Sequence, residues 1–249
     1  MKPFWAALQF LTILPVNSAF SERDREQAPY WFPLIGLTIG LVVVAVDGAW
    51  ARLGLPIVVQ SVLSVGLLAA LTGGLHLDGL ADTADGFLSA RPRERVLEIM
   101  RDSHIGAMGV LALVFILSLK AAALISLTGP TRWQALVLAP LGGRCLQLVV
   151  MSLLPYARRD GGLASAYIRR RRPGLAVWAV LWLTAGAILM AGPAKGMGAT
   201  AAALLGAGLL AVWQWRRIRG FTGDTLGATS EIVETLLLVV FCGLPGMPT

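Results

Sequence analysis

Residues 72–87 read Thr-Gly-Gly-Leu-His-Leu-Asp-Gly-Leu-Ala-Asp-Thr-Ala-Asp-Gly-Phe. On a helix, Asp78, Asp82 and Asp85 occupy positions i, i+4 and i+7, within roughly 60° of one another. No Lys or Arg occurs between Arg52 and Arg91 to neutralise them. Three like charges on one stripe repel, and a divalent cation is the simplest relief. Hard oxygen donors suit Mg²⁺ or Mn²⁺, ions that are often shared with a substrate phosphate. The competing explanation is a plain solvated helix face. Against it stand Gly73, Gly74, Gly79 and Gly86: a helical glycine costs about 1 kcal/mol against Ala, whereas an open backbone lets a ligand approach. His76 precedes Asp78 by two residues and faces elsewhere on a continuous helix. Metal ligand, general base, phosphate donor and backbone-bonded interfacial residue are all open to it.

Two further segments carry candidate groups. In Arg101-Asp102-Ser103-His104, either Asp102 or Ser103 can cap the apolar run that follows. Arg101 and His104 would add positive charge to an anion site at that helix N-terminus. Residues 220–234 form a second glycine-rich, acid-bearing stretch, with Asp224 ahead of an apolar helix and Glu231 and Glu234 at i, i+3 on one face. Glu234 enters an apolar run, where a carboxylate needs a partner. Arg144, alone in an apolar run after Gly142 and Gly143, is the obvious one. It either pairs with Glu234 or clamps a phosphate.

The elements that must position these groups are membrane helices. The 249-residue chain is 56% hydrophobic and only 14% charged, with a mean hydropathy of +0.72; a soluble domain carries about a quarter charged residues. Apolar runs at 32–51, 57–75, 107–127, 133–155, 174–191 and 198–215 approach the roughly 20 residues that a bilayer requires. A shorter run at 233–245 spans or only dips. Residues 3–15 are too short to cross and predict an interfacial or re-entrant helix. The expected fold is therefore all-α: one integral membrane domain over 1–249, a bundle of six to seven transmembrane helices. Cys145 and Cys242 read as small buried apolar residues, not as a metal or disulfide pair.

Charge sets the orientation. Of 21 Lys and Arg, 16 fall in segments 1–31, 76–106, 156–173 and 216–232, which the positive-inside rule makes cytoplasmic. The basic residues follow membrane topology, so the net charge of +7 does not argue for nucleic acid. The Arg169–Arg172 run, with Arg158 and Arg159, reads as a topology determinant that touches anionic lipid. Only Asp47 and Glu234 among the acids lie inside the predicted spans. One-sided chemistry points to an enzyme at the cytoplasmic face, built from 72–106, 142–160 and 216–234. A divalent-cation transporter, the alternative of another class, would scatter ionisable groups along a path.

The run Gly73-Gly74-x-His76-x-Asp78-Gly79-Leu80-x-Asp82-x-x-Asp85-Gly86 resembles the hallmark of the cobalamin synthase family, the adenosylcobinamide-GDP ribazoletransferases. The resemblance continues through Phe32-Pro33-Leu34-x-Gly36, Met100-Arg101-Asp102-Ser103-x-x-Gly106, Gly143-Arg144, Pro155-Tyr156-Ala157-Arg158 and Phe221 to Ala228 with Glu231 and Glu234. It implies a Mg²⁺-dependent enzyme of the bacterial inner membrane. Its partners would be adenosylcobinamide-GDP and α-ribazole or its 5′-phosphate, with membrane lipids around it; a homo-oligomer is left open. The ribose hydroxyl would attack the phosphorus nearest the corrinoid and expel GMP. In that reading Asp78, Asp82 and Asp85 hold metal, and Arg101 and Arg144 stabilise phosphate charge. Gly73, Gly74, Gly79, Asp102, His104, Asp224 and Glu231 line the phosphate site. His76, Asp82 and Asp85 are the catalytic set, with His76, Asp85 and Asp224 the candidate bases. A CDP-alcohol phosphotransferase is the second enzyme reading, but its pattern places an Arg after the aspartates and this run has none.

Overall fold

The computed structural model describes residues 1–158, 167 and 172–243. The described residues are almost wholly helical: α1 (Lys2–Leu11), α2 (Glu22–Gln27), α3 (Phe32–Arg52), α4 (Ile57–Leu71), α5 (Leu75–Phe87), α6 (Arg93–Ile99), α7 (Ala107–Ser126), α8 (Gly129–Leu153), α9 (Pro173–Ala191), α10 (Pro193–Ile218) and α11 (Gly223–Gly243). Prolines at the first or second position start α1, α3, α8, α9 and α10. Their fixed φ suits a helix start, and their missing N–H is not needed there. Ser21 and Asp24 form a reciprocal capping box on α2.

Six helical runs are long and apolar enough to cross a membrane: residues 22–52, α7, α8, α9, α10 and α11. The pair α4 and α5 qualifies only jointly and is bent by 90°, so the bundle matches the expected six to seven crossings. Two boundaries move. The last crossing starts at Gly223, not at 233, and runs for 21 residues. Its first half looked too polar because Thr225, Thr229, Ser230, Glu231 and Glu234 turn inward and are buried. The predicted run at 57–75 ends early: Gly73 and Gly74 adopt φ of +59° and +71°, a region open mainly to glycine, and the chain swings from α4 into α5. The short N-terminal helix α1 packs Ala6, Ala7 and Leu11 against the bundle with no exposed surface.

Helix α8 is the central post. In its most apolar 18-residue window 89% of residues are buried. Helix α3 crosses it at a Gly36-x-x-x-Gly40 spacing. A Cβ on Gly36 would stand 2.5 Å from the Pro140 carbonyl oxygen, and one on Gly40 2.7 Å from the Val137 Cα. Membrane helices gain little from apolar burial between themselves and rely on such close backbone approach. The opposite face of α8 takes α11. Cys145 is buried in this core, whereas Cys242 is exposed near the end of α11, contrary to the expectation that both are buried. Arg159 and Arg169–Arg171 of the basic run, and the end of the predicted 233–245 run, lie outside the described residues.

Candidate active site

Helix α5 does carry the three aspartates on one face. Asp78 is exposed, Asp82 and Asp85 are half-buried, and the opposite face, with Leu80, Thr83, Ala84 and Phe87, is buried. The helix lies across the end of the bundle, against the first turns of α7 and α11. Gly79 permits this contact: a Cβ there would sit 2.7 Å from the Asp224 carbonyl oxygen. Gly73, Gly74 and Gly79, expected to open the backbone to a ligand, thus have other physical reasons to be glycine, a turn and a helix contact.

A cavity of about 160 Å³ opens at this end. It is lined by His76 and Asp78 from α5, Gln147 from α8, Tyr156 and Arg158 from the segment after α8, and Asp224 and Leu226 from α11, with Phe10, Phe32 and Leu75 as apolar walls. Residues 155–157 are stitched to the α10–α11 turn, since Phe221 N–H donates to Pro155 O at 2.9 Å and Ala157 N–H to Phe221 O at 2.8 Å. That link brings Arg158 to Asp224, and its Nη2 donates to Asp224 Oδ2 at 2.7 Å and to Met100 O at 3.2 Å. Thr222 Oγ1 donates to the same Asp224 oxygen at 3.2 Å. Arg158, assigned to topology by its place in the basic run, is therefore the cation of the cavity. The Pro-Tyr-Ala-Arg motif is the signal that could have marked it.

Burial, the charges of Asp78 and Asp224, and a smaller contribution from Asp85 push Asp82 up to about 7, with Arg158 opposing them. The mutual repulsion expected from spacing is thus felt at Asp82, but the carboxylates that exert it most are Asp78 and Asp224. Asp85 turns aside: Oδ2 accepts the Gly106 N–H at 2.7 Å and Oδ1 the Gly109 N–H at 2.8 Å. It caps α7 from a neighbouring helix, and the local caps expected at Asp102 or Ser103 are not used; the residue before α7 is Gly106. Asp102 instead accepts from His104 through both its backbone N–H (3.0 Å) and its Nδ1 (2.7 Å), and these bonds lower its pKa, the side-chain bond most. Both residues are exposed and away from the cavity lining. Arg101 lies in a separate charged cleft with Arg93, Glu94 and Glu98 that shares only Arg158 with the cavity.

The remaining predicted groups form a buried ionic cluster behind the cavity. Arg144, 1% exposed, ion-pairs with Glu234 and donates to Ser230 Oγ at 3.2 Å. Lys120 Nζ donates to Glu231 at 2.7 Å and to Glu234 at 2.6 Å. Two cations balance two anions, so Arg144 and Glu231 are held inside the protein, out of the cavity lining. Arg144 Nη2 also stands 3.1 Å from His76 Nδ1. A guanidinium only donates, so Nδ1 accepts and the imidazole is neutral, with its proton on Nε2. Gln147 Nε2 lies 3.1 Å from His76 Nε2, and Gln147 Oε1 has no partner. Gln147 Nε2 donates to Leu226 O at 3.2 Å, which ties α8 to the first turn of α11 beside the imidazole.

Among the described residues no three His, Cys, Asp or Glu side chains converge on a ready-made metal cage. Mg²⁺ commonly takes one or two carboxylates together with water and substrate phosphate, and the mutual repulsion among Asp78, Asp82 and Asp224 fits a hard cation between protein and phosphate.

Fold and site together define a polytopic helical membrane protein with an acidic, arginine-edged cavity at one end of its bundle. The sequence matches the cobalamin-5-phosphate synthase model over residues 3–242, and the chain belongs to that family. Adenosylcobinamide-GDP ribazoletransferases are among its relatives. One from Roseiflexus sp. is 43% identical over 238 residues, covering 95% of this chain and 87% of the relative. One from Citrobacter koseri is 40% identical over 250 residues, covering 96% and 98%. One from Desulforamulus reducens is 38% identical over 238 residues, covering 93% and 92%. No solved structure matches the chain.

Proposed function

We propose that the chain is an adenosylcobinamide-GDP ribazoletransferase, joining adenosylcobinamide-GDP to α-ribazole or its 5′-phosphate with release of GMP. Family membership over nearly the whole chain supports the reaction. The single observation that carries the site is the cavity where Asp78, Asp224 and Arg158 meet, one helical turn from Asp82. Its volume admits a phosphate and part of a ribose; a corrinoid must remain outside.

Asp78 and Asp82 would hold Mg²⁺, which when bound supplies positive charge to the diphosphate oxygens. Arg158 is placed to stabilise negative charge on the transferring phosphoryl group. The ribose hydroxyl oxygen forms a bond to the phosphorus nearest the corrinoid, the bond from that phosphorus to the bridging oxygen breaks, and GMP departs with the electron pair. Asp224 is the assigned acceptor of the hydroxyl proton, since its protein hydrogen bonds converge on Oδ2. The other candidate bases are occupied: Asp85 by two backbone N–H groups and His76 Nδ1 by Arg144. His76 acts as a positioning residue. The bundle end with the basic loops faces the cytoplasm in this reading, which the positive-inside rule supports.

Incubating the purified full-length protein with adenosylcobinamide-GDP, α-ribazole and Mg²⁺ tests the activity through GMP release and formation of the complete corrinoid. Asp82→Asn is expected to insert normally and to lose turnover. Near-normal turnover in that variant refutes the metal assignment, whereas an inactive wild-type protein under all conditions refutes the reaction.

A further inference from the structure

A second cavity, of about 290 Å³, lies on the face of α5 opposite the aspartates, walled by α5, α7, α10 and α11. Leu80, Phe87, Phe115, Ile116, Trp213 and Ile232 make it apolar, yet Thr83 and Gln214 also line it. These two are 6% and 2% exposed, and Thr83 Oγ1 and Gln214 Oε1 have no hydrogen-bond partner among the described residues. The cavity opens beside Phe115 and Leu88, which are 66% and 53% exposed. In a spanning protein such a surface meets hydrocarbon, where no water can satisfy orphaned polar atoms.

The α10 wall continues the pattern. Leu210, Trp213, Gln214 and Arg217 recur at i, i+3, i+4 and i+7, so they share one stripe. Arg217 sits in the last turn, and its buried Nε and Nη2 also lack partners among the described residues. Helical side chains lean toward the helix N-terminus, which for Arg217 is toward the cavity.

We propose that this groove binds an anionic glycerophospholipid of the bilayer, with an acyl chain between α5, α7, α10 and α11, an ester carbonyl at Thr83, and the phosphate at Arg217. Thr83 donates its hydroxyl proton to the carbonyl. Gln214 now donates Nε2–H to Thr229 Oγ1 at 3.0 Å. It keeps that bond, because Thr229 donates its one hydroxyl proton to Thr225 O at 2.7 Å. The apolar lining matches the chain, the unpaired Thr83 hydroxyl matches the ester, and the guanidinium supplies the preference for an anionic headgroup. The lipid supports α5 from behind, so it stabilises the helix that carries the aspartates without touching them.

The test uses full-length protein purified in detergent and delipidated, with phosphatidylglycerol or phosphatidylcholine returned in mixed micelles. Lipid retention is read by native mass spectrometry and stability by thermal melting. Wild-type protein is expected to retain phosphatidylglycerol in preference to phosphatidylcholine and to melt higher with it. Arg217→Gln should weaken phosphatidylglycerol retention about tenfold or more, the loss of one charge-assisted hydrogen bond, and abolish the preference. Thr83→Val should lose retention while melting no lower than wild type when lipid-free, because it removes a buried hydroxyl that lacked a partner. Equal retention of both lipids by the wild type, or unchanged retention in both variants, overturns the proposal. So does a wild type that holds no lipid.

Discussion

Replacing Lys120 by Met tests the buried ionic cluster most sharply. Lys120, Glu231, Arg144 and Glu234 sum to zero charge, and none has more than 7% of its side chain exposed. Lys120 is the cation that holds Glu231, while Glu234 keeps Arg144. Removal therefore leaves one buried carboxylate without its partner. Breaking a buried pair from one side costs about 3–5 kcal/mol, and translocon scales put one unpaired charge at mid-membrane at about 2.5–3.5 kcal/mol. At ~2–4 °C per kcal/mol for a chain of this size, the melting temperature should fall by about 6–20 °C. Lys120→Met/Glu231→Gln restores neutrality and should recover at least half of that loss. Tryptophan fluorescence melts in one detergent, with eight Trp as probes, measure both variants. A single variant that melts with the wild type, or a double variant less stable than the single, refutes the charge-balance reasoning.

Asp85→Ala removes the two carboxylate oxygens that accept the Gly106 and Gly109 N–H groups at the start of α7 and should destabilise by about 1–2 kcal/mol, the usual loss for a helix cap; Asp102→Ala should not, and chemical unfolding of the two variants separates them. Asp82 is pushed up to about 7, and only its ionised form ligates Mg²⁺. Apparent Mg²⁺ affinity should therefore be full above that value and decline as pH falls through it, with higher Mg²⁺ moving the acid limb of the rate profile to lower pH; an acid limb independent of Mg²⁺ rules this out. Gly40→Val drives a branched side chain into the Val137 backbone of α8 and should cost about 1–3 kcal/mol as overpacking, whereas Gly48→Val, which meets nothing within 4 Å, should fold and melt like the wild type.

Much of the site was legible because its signals are local. Aspartates at i, i+4 and i+7 share a face in any helix, and the Gly73-Gly74 pair marks a turn whatever surrounds it. The errors came where a residue's partner is distant in sequence. Asp85 belongs to the stripe by spacing, yet it serves the N–H groups of Gly106 and Gly109, 21 and 24 residues on. Arg144 faced a choice between carboxylate and phosphate that depended on how α8 meets α11. Lys120 lies in an apolar run with no charged neighbour in sequence, and it holds both glutamates from 111 and 114 residues away. The start of α11 was misplaced by ten residues because inward-facing polar side chains lower hydropathy without ending a helix.

The sequence by itself determined the membrane class, the number of crossings, the end of the bundle that gathers charge, and the helix that bears the carboxylates. These depend on residue type, run length and helical period, which act over a few turns. Only the tertiary structure decided that Arg158 and Asp224 join Asp78 in one cavity, that Asp85 is a cap, and that Lys120, Arg144, Glu231 and Glu234 neutralise one another. Pairing between helices is set by how closely they cross. Those crossings turn on contacts such as Gly36 and Gly40 against α8, whose partners no local periodicity specifies.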